Sequence, residues 1–355
     1  MNVLRFSLIA SLATSFALPS VNAQTATTDP VGFVTISAAA GTGTSKKNTL
    51  FSIPLMETES IGGQVAGTIT GITSNSISNS NAGWTPGLLS DPATPYLIQI
   101  TSGAAEGRLF LIASSAATAG ASAGTANTAT TVNISPIDSA QVDLTSLGIV
   151  AGTDTYKIFS CGTLSSVFPP ASGIQGGTSA ANADTVVLVV NGTSTTYFYR
   201  TTAPARWTRV FTGSPDASNV PLLPYYGMQY QRIAATPLSA TVTGEVPTEP
   251  RKVAVKNSGV TLISQFWPAG STLLSSGLSS VVTPGATASV ADTVILTSGG
   301  SASTYWYNGT NWRRVFAGSP ISDSTPISIG TTVQIIRKGT ASGYTTLSQS
   351  VPYNL

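Results

Sequence analysis

The side chains best suited to chemistry are few in this 355-residue chain, and histidine is absent from it. That absence removes imidazole acid–base catalysis, Ser-His-Asp nucleophiles and most zinc sites together. Carboxylate chemistry remains open in principle, since a glycoside hydrolase needs only two Asp or Glu side chains about 5 to 9.5 Å apart. The fourteen acids are scattered, with Asp184 and Asp292 each standing directly before an apolar run. An Asp in that position reads as a turn residue bonding its own backbone. A calcium loop wants closely spaced oxygen ligands, and Asp138 with Asp143 is the nearest approach. Cys161 is the only cysteine, so no intramolecular disulfide is possible. It reads either as a reactive or cross-linking thiol or, as expected here, as a small buried hydrophobe beside Ile158 and Phe159. The Gly-rich turns are too dispersed for a phosphate loop. No catalytic residue, metal site or cofactor is therefore expected.

Stacking is the other chemistry on offer. Arg209 lies two residues after Trp207, and Arg314 two after Trp312; in a strand that spacing puts each pair on one face. Such a pair can line a cleft for a sugar ring or aromatic ligand, or it can be a core Trp under an Arg stem. Because both copies keep the pattern, a packing anchor is the expectation. Tyr225 and Tyr226 occur in one copy only, so if any aromatic pair here is a binding surface, it is this one. Trp207, Arg209, Tyr225, Tyr226, Trp312 and Arg314 are the candidate ligand-binding residues.

The elements that position them occur twice. Thr195-Thr196-Tyr197-Phe198-Tyr199 and Trp207-Thr208-Arg209-Val210-Phe211-Thr212-Gly213-Ser214-Pro215 return as Ser303-Thr304-Tyr305-Trp306-Tyr307 and Trp312-Arg313-Arg314-Val315-Phe316-Ala317-Gly318-Ser319-Pro320. Aromatic and β-branched runs joined by a short polar connection predict a hairpin. Ala183-Asp184-Thr185-Val186 likewise matches Ala291-Asp292-Thr293-Val294, and the match extends to Arg232 and Arg337 with a three-residue deletion before the second Trp. Upstream, Tyr156–Ser160 and Thr261–Ser264 read as equivalent strands, and Asn48–Ser52 as a more distant third. A period near 105 residues is domain-sized. Helical periodicity is scarce, the best candidate being a short helix over Leu273–Val281.

Met1–Ala23 carries one positive charge, Arg5, an apolar run from Phe6 to Leu18, and Val21-Asn22-Ala23 as a small-residue cleavage site. This is the pattern of a secretory signal peptide. No later stretch reaches the ~20 apolar residues of a membrane helix. Charged residues make up 8% of the chain and the net charge is +2, too weak a field to gather nucleic acid or anionic lipid.

Taken in order, Asp29-Pro30-Val31-Gly32-Phe33, the Ser102–Gly107 turn, Thr163–Phe168, the two Ala-Asp-Thr-Val strands, the Tyr-rich strand before Trp-x-Arg, and Pro224-Tyr225-Tyr226-Gly227 leading to Arg232 resemble an uncharacterised family of secreted proteins found mainly in verrucomicrobial bacteria. The resemblance implies export and a shared fold, and it brings no catalytic residue with it.

The expected protein is all-β, with tandem antiparallel β-sandwich or barrel-like modules and little helix. Its expected divisions are a signal peptide (1–23), a divergent N-terminal β module (24–150), and two clear repeats (151–245 and 246–355). A low-charge, hydroxyl-rich surface is cheaper to desolvate than an ionised one. That points to an exported, non-enzymatic structural, surface-layer or adhesive protein, located outside the cell, at its surface or in the periplasm. Its expected partners are cell-surface or matrix components, polysaccharide among them, or further copies of itself. A carbohydrate-binding module is the alternative, marked by a coplanar exposed strip of Trp and Tyr. A carboxylate-dependent polysaccharide-acting enzyme is a further one, marked by two close acids in a cleft.

Overall fold

The computed structural model describes residues 30–57, 61, 63–116, 123–298 and 301–353. The leader 1–23 and part of the loop Ala116–Thr131 lie outside the described residues. The protein is all-β; among the described residues its sheets are antiparallel and its helix is confined to short turns. No helix among the described residues is long and apolar enough to cross a membrane.

Alternation decides which way each strand faces. In Val31–Ala38, Val34, Ile36 and Ala38 are buried while Val31 and Phe33 are exposed. This strand pairs with Leu238–Glu245 to make a two-stranded ribbon. Its inner face packs on a five-stranded sheet whose order is Arg206–Arg209, Thr193–Arg200, Thr185–Val190, Met228–Arg232, Lys47–Phe51. The shared core holds Ile36, Phe51, Phe168, Val186, Trp207 and Tyr230. A second sandwich is built the same way. Its sheet runs Trp312–Arg314, Ser301–Tyr307, Thr293–Ser298, Thr332–Arg337, Gly259–Ser264, and its ribbon is Arg251–Lys256 with Tyr344–Gln349. Strand order agrees between the two sheets, and so does register: Val186 opposes Tyr197 and Tyr230 as Val294 opposes Tyr305 and Ile335. Between Thr185–Val190 and Thr193–Arg200 the two-residue turn is Asn191-Gly192, both at positive φ, as a tight hairpin of the twist-matched type requires.

Sheet membership departs from the division at 150/151. Thr155–Ser160 pairs with Tyr96–Ile100 and Ala66–Thr68, in a four-stranded sheet completed by Leu109–Leu111. The strand equivalent to Gly259–Ser264 is instead Lys47–Phe51, since Leu50 opposes Gln229 as Leu262 opposes Gln334. The first sandwich is thus assembled from 31–56 and 163–245, and 61–161 forms an inserted unit between its second and third strands. Short strands that each carry Thr beside Leu, Ile or Phe look alike in composition, and only long-range pairing tells them apart. The inserted unit adds a small sheet of Gly71–Ile72, Ser76–Ser78 and Thr131–Asn133 and has its own core around Trp84, Tyr156 and Ile98. Tyr96–Ile100 is buried at every position, because one face meets that core and Leu97 meets the core of the second sandwich.

The stretch expected as a helix, Leu273–Val281, forms one 3-10 turn at Leu278–Ser280, opened by Gly277 at φ 72. The α-helical turns lie at Pro136–Ser139 and at Leu164–Val167. The second is held by a capping box in which Ser166 N–H donates to Thr163 Oγ1 at 3.2 Å and Thr163 N–H to Ser166 Oγ at 2.8 Å.

Candidate functional site

Four of the six candidate ligand-binding residues face inward. Trp207 and Trp312 are 1% and 0% exposed, on the buried face of their strands. Trp207 donates its indole N–H to the Phe168 carbonyl at 3.0 Å and packs on Phe168 and Tyr199, while Trp312 packs on Tyr307 at 5.5 Å. Tyr225 and Tyr226, the pair that would be the binding surface if any aromatic pair were, are likewise turned inward. Both are buried, with ring centroids 4.9 Å apart, where the inserted unit meets the two sandwiches. Tyr225 Oη donates to Asp138 Oδ2 at 2.7 Å, and Tyr226 Oη accepts from Gln141 Nε2 at 2.5 Å. The matching positions of the second sandwich are Gly330 and Thr331, and that sandwich has no insertion to hold.

Asp138 is the most unusual carboxyl at this junction. It is buried, and its Oδ2 also accepts the Leu111 N–H at 2.7 Å. Desolvation pushes its pKa up to about 7, opposed by the Leu111 and Tyr225 hydrogen bonds and by the Arg108 charge. Arg108 in turn bonds Thr346 of the second sandwich. Asp143 does not join Asp138; its carboxylate caps Leu144–Leu147, accepting from Thr145 N–H at 2.9 Å and Thr145 Oγ1 at 2.7 Å. Among the described residues no three His, Cys, Asp or Glu side chains converge as metal ligands would.

Asp184 and Asp292 reach further than the turn bonds expected of them. Asp184 accepts from Arg232 Nη1 at 2.5 Å, Tyr230 Oη at 2.8 Å and the Ile233 and Gln175 N–H groups, both at 2.8 Å. Asp292 accepts from Arg337 Nε at 3.2 Å and from the Lys338 and Thr283 N–H groups, both at 2.7 Å. Each carboxylate therefore clamps the start of one strand to the end of its neighbour. Cys161 is buried, its thiol directed at the Leu222 carbonyl at 3.7 Å, and burial pushes its pKa up to about 12. At that value the thiolate, its reactive form, is scarce.

Arg209 and Arg314 are the two candidates that reach the surface. Each guanidinium lies over an exposed phenylalanine ring of its own turn: Arg209 over Phe211 at 5.1 Å and Arg314 over Phe316 at 5.5 Å. The two turns share their backbone bonds. Arg209 and Arg314 N–H donate to Pro215 and Pro320 at 3.1 Å, and Ser214 and Ser319 N–H to Phe211 and Phe316 at 2.9 Å. Ser214 and Ser319 both adopt positive φ, 44° and 45°, a conformation uncommon outside glycine that persists only where the surroundings impose it. The outcome is two matching tips that hold apolar side chains in water. Phe211 and Phe316 are 63% and 66% exposed, and Val210 and Val315 beside them are 47% and 48% exposed. The signal for these tips lies in the sequence as the doubled Arg-Val-Phe-x-Gly-Ser-Pro: an apolar pair directly before a turn-forming Gly-Ser-Pro has no strand left to bury it.

Compared with protein-family models, with curated proteins and with solved structures, the chain matches none.

Proposed function

We propose that the chain is an exported structural or adhesive β protein, kin to the secreted verrucomicrobial family, in which a duplicated sandwich module gives each molecule two like contact points for assembly with further copies. The observation that carries this reading is the pair of matching tips, Val210-Phe211 and Val315-Phe316, exposed on equivalent turns of equivalent sheets. Apolar side chains held in water gain free energy when a partner covers them. The partner favoured by the charge content is the chain itself, because a net charge of +2 over 355 residues gives copies little reason to repel. Two contact points per molecule allow an open array, where one would stop at a pair.

The test is negative-stain electron microscopy of purified residues 24–355 over a concentration series, together with a turnover assay on a panel of polysaccharides. Ordered assemblies without turnover are expected. Dispersed monomers at the highest concentration, or release of sugar, would overturn the reading; retention on insoluble polysaccharide by monomers would favour the carbohydrate-binding alternative.

A further inference from the structure

Between the inserted unit and the first sandwich lies a cleft of about 370 Å³, walled on one side by Thr241, Val242 and Thr243. That wall is the edge of a strand. In the ribbon, Val246 N–H donates to the Pro30 carbonyl at 2.7 Å, on the side of Val31–Ala38, whereas Glu245 N–H donates the opposite way, to the Met56 carbonyl at 2.6 Å. Backbone groups in a strand alternate between its two edges. Thr243 and Thr241, two and four positions before Glu245, therefore aim their N–H and C=O groups away from the ribbon partner and toward the cleft. Among the described residues Leu238–Glu245 has one partner strand, and its other edge is bridged by Met56 at Glu245, so at Thr241 and Thr243, where the cleft begins, no described strand pairs with that edge.

The lining says what could occupy it. The floor is aliphatic, with Ile53, Leu55, Leu97 and Leu222, and among the described residues no aromatic ring lines the cleft on which a sugar could stack. Among the described residues Glu57 is the charged side chain along it. The volume falls within the ~300–1,000 Å³ of ordinary ligand sites. In the second sandwich the corresponding edge also lacks a second described strand, but it is crowded at Ser348: the Gln349 side chain bonds the Ser276 carbonyl, and a β-carbon on Gly277 would stand 3.2 Å from the Ser348 carbonyl oxygen. The uncrowded edge is thus a feature of the first sandwich, at the place where the inserted unit supplies the opposite wall.

The geometry points to a peptide-binding site: the cleft takes an extended segment of another protein, which adds as a strand to the Thr241–Thr243 edge, seats alternate apolar side chains on the floor and sets a Lys or Arg against Glu57. Evenly spaced N–H and C=O groups along an edge match another extended backbone, and pockets for alternate side chains supply selectivity. This site is separate from the tips and does not depend on assembly.

The probe is a fluorescein-labelled hexapeptide alternating Thr and Val with one Lys, measured by fluorescence anisotropy against residues 24–355. Saturable binding is expected, weakened at least tenfold when alternate peptide amides are N-methylated, a change that leaves the protein untouched. Thr243→Pro deletes a donor that the ribbon does not use and is expected to weaken binding similarly; Glu57→Lys is expected to shift preference to the same peptide carrying Glu in place of Lys. Should Thr243→Pro fail to fold by its thermal melt, the N-methylated peptide decides alone. No saturable binding up to millimolar peptide, or binding indifferent to N-methylation, overturns the proposal.

Discussion

Trp207 and Phe211 show how four positions of chain separate an anchor from a contact point. Truncating a fully buried aromatic costs about 3–5 kcal/mol, so Trp207→Ala and Trp312→Ala are each expected to lower the urea midpoint strongly. Phe211→Ser and Phe316→Ser, at exposed sites, are expected to stay within about 0.5 kcal/mol of wild type. Equal costs at the two kinds of site would contradict the burial described. Asp138 gives a pH signature. Its folded pKa of about 7 exceeds the usual carboxyl value of 3.8, so between those values the folded state holds a proton that the unfolded state has lost. Stability from this group is full below the lower value and falls as pH rises toward the upper one. Asp138→Asn keeps an acceptor for Leu111 and Tyr225 without the charge, so the wild-type stability minus that of the variant should decline from pH 4 to pH 7; a flat difference would refute the assignment. The burial of Trp207 and Trp312 was legible as a packing anchor kept in both copies, whereas the i, i+2 spacing, which puts two residues of a strand on one face, did not show that Arg209 and Arg314 turn to the surface, because each strand ends at that Arg and passes into the tip. Tyr225 and Tyr226 were not legible as junction residues, because their partners Asp138 and Gln141 lie more than eighty positions away.

Among the elements, the hairpins were readable from Thr, Val and aromatic alternation, and their turns from Gly and Pro. The Asp clamps were readable only as local turns. Each joins two strands across a sheet, Asp184 to Arg232 and Asp292 to Arg337. Removing one partner of a buried pair leaves the other charge stranded, at a cost of roughly 3–5 kcal/mol. Arg232 is the more enclosed of the two arginines, 4% against 15% exposed at the side chain, so Asp184→Ala is expected to destabilise more than Asp292→Ala in urea melts. The reverse order would contradict the clamp geometry. Burial alone would raise the Asp292 pKa, but the Lys338 and Thr283 hydrogen bonds and Arg337 outweigh it and hold the carboxyl below the usual range. Its stabilisation is therefore complete above that range and lost as pH falls through the folded value. The wild-type advantage over Asp292→Asn should shrink in acid.

For the molecule as a whole, the doubled module was legible because both copies keep their residues in order, whereas the insertion was not. Nothing in the composition around 57 or 162 marks a boundary, and the strand that completes the first sheet is separated from its partner by the whole inserted unit. That unit is tied back by Lys157 to Glu245 at 2.7 Å, by Arg251 to Gln99 at 2.6 Å and by Lys252 N–H to the Gly107 carbonyl at 3.0 Å, so one body carries both tips. Assembly through two tips makes a prediction about stoichiometry that a single sticky patch does not. Sedimentation velocity on residues 24–355 should show assemblies for the wild type, species no larger than dimers for Phe211→Ser or Phe316→Ser alone, and monomers for the double variant, all with native melting curves. Wild-type-sized assemblies from a natively folded double variant would contradict the account.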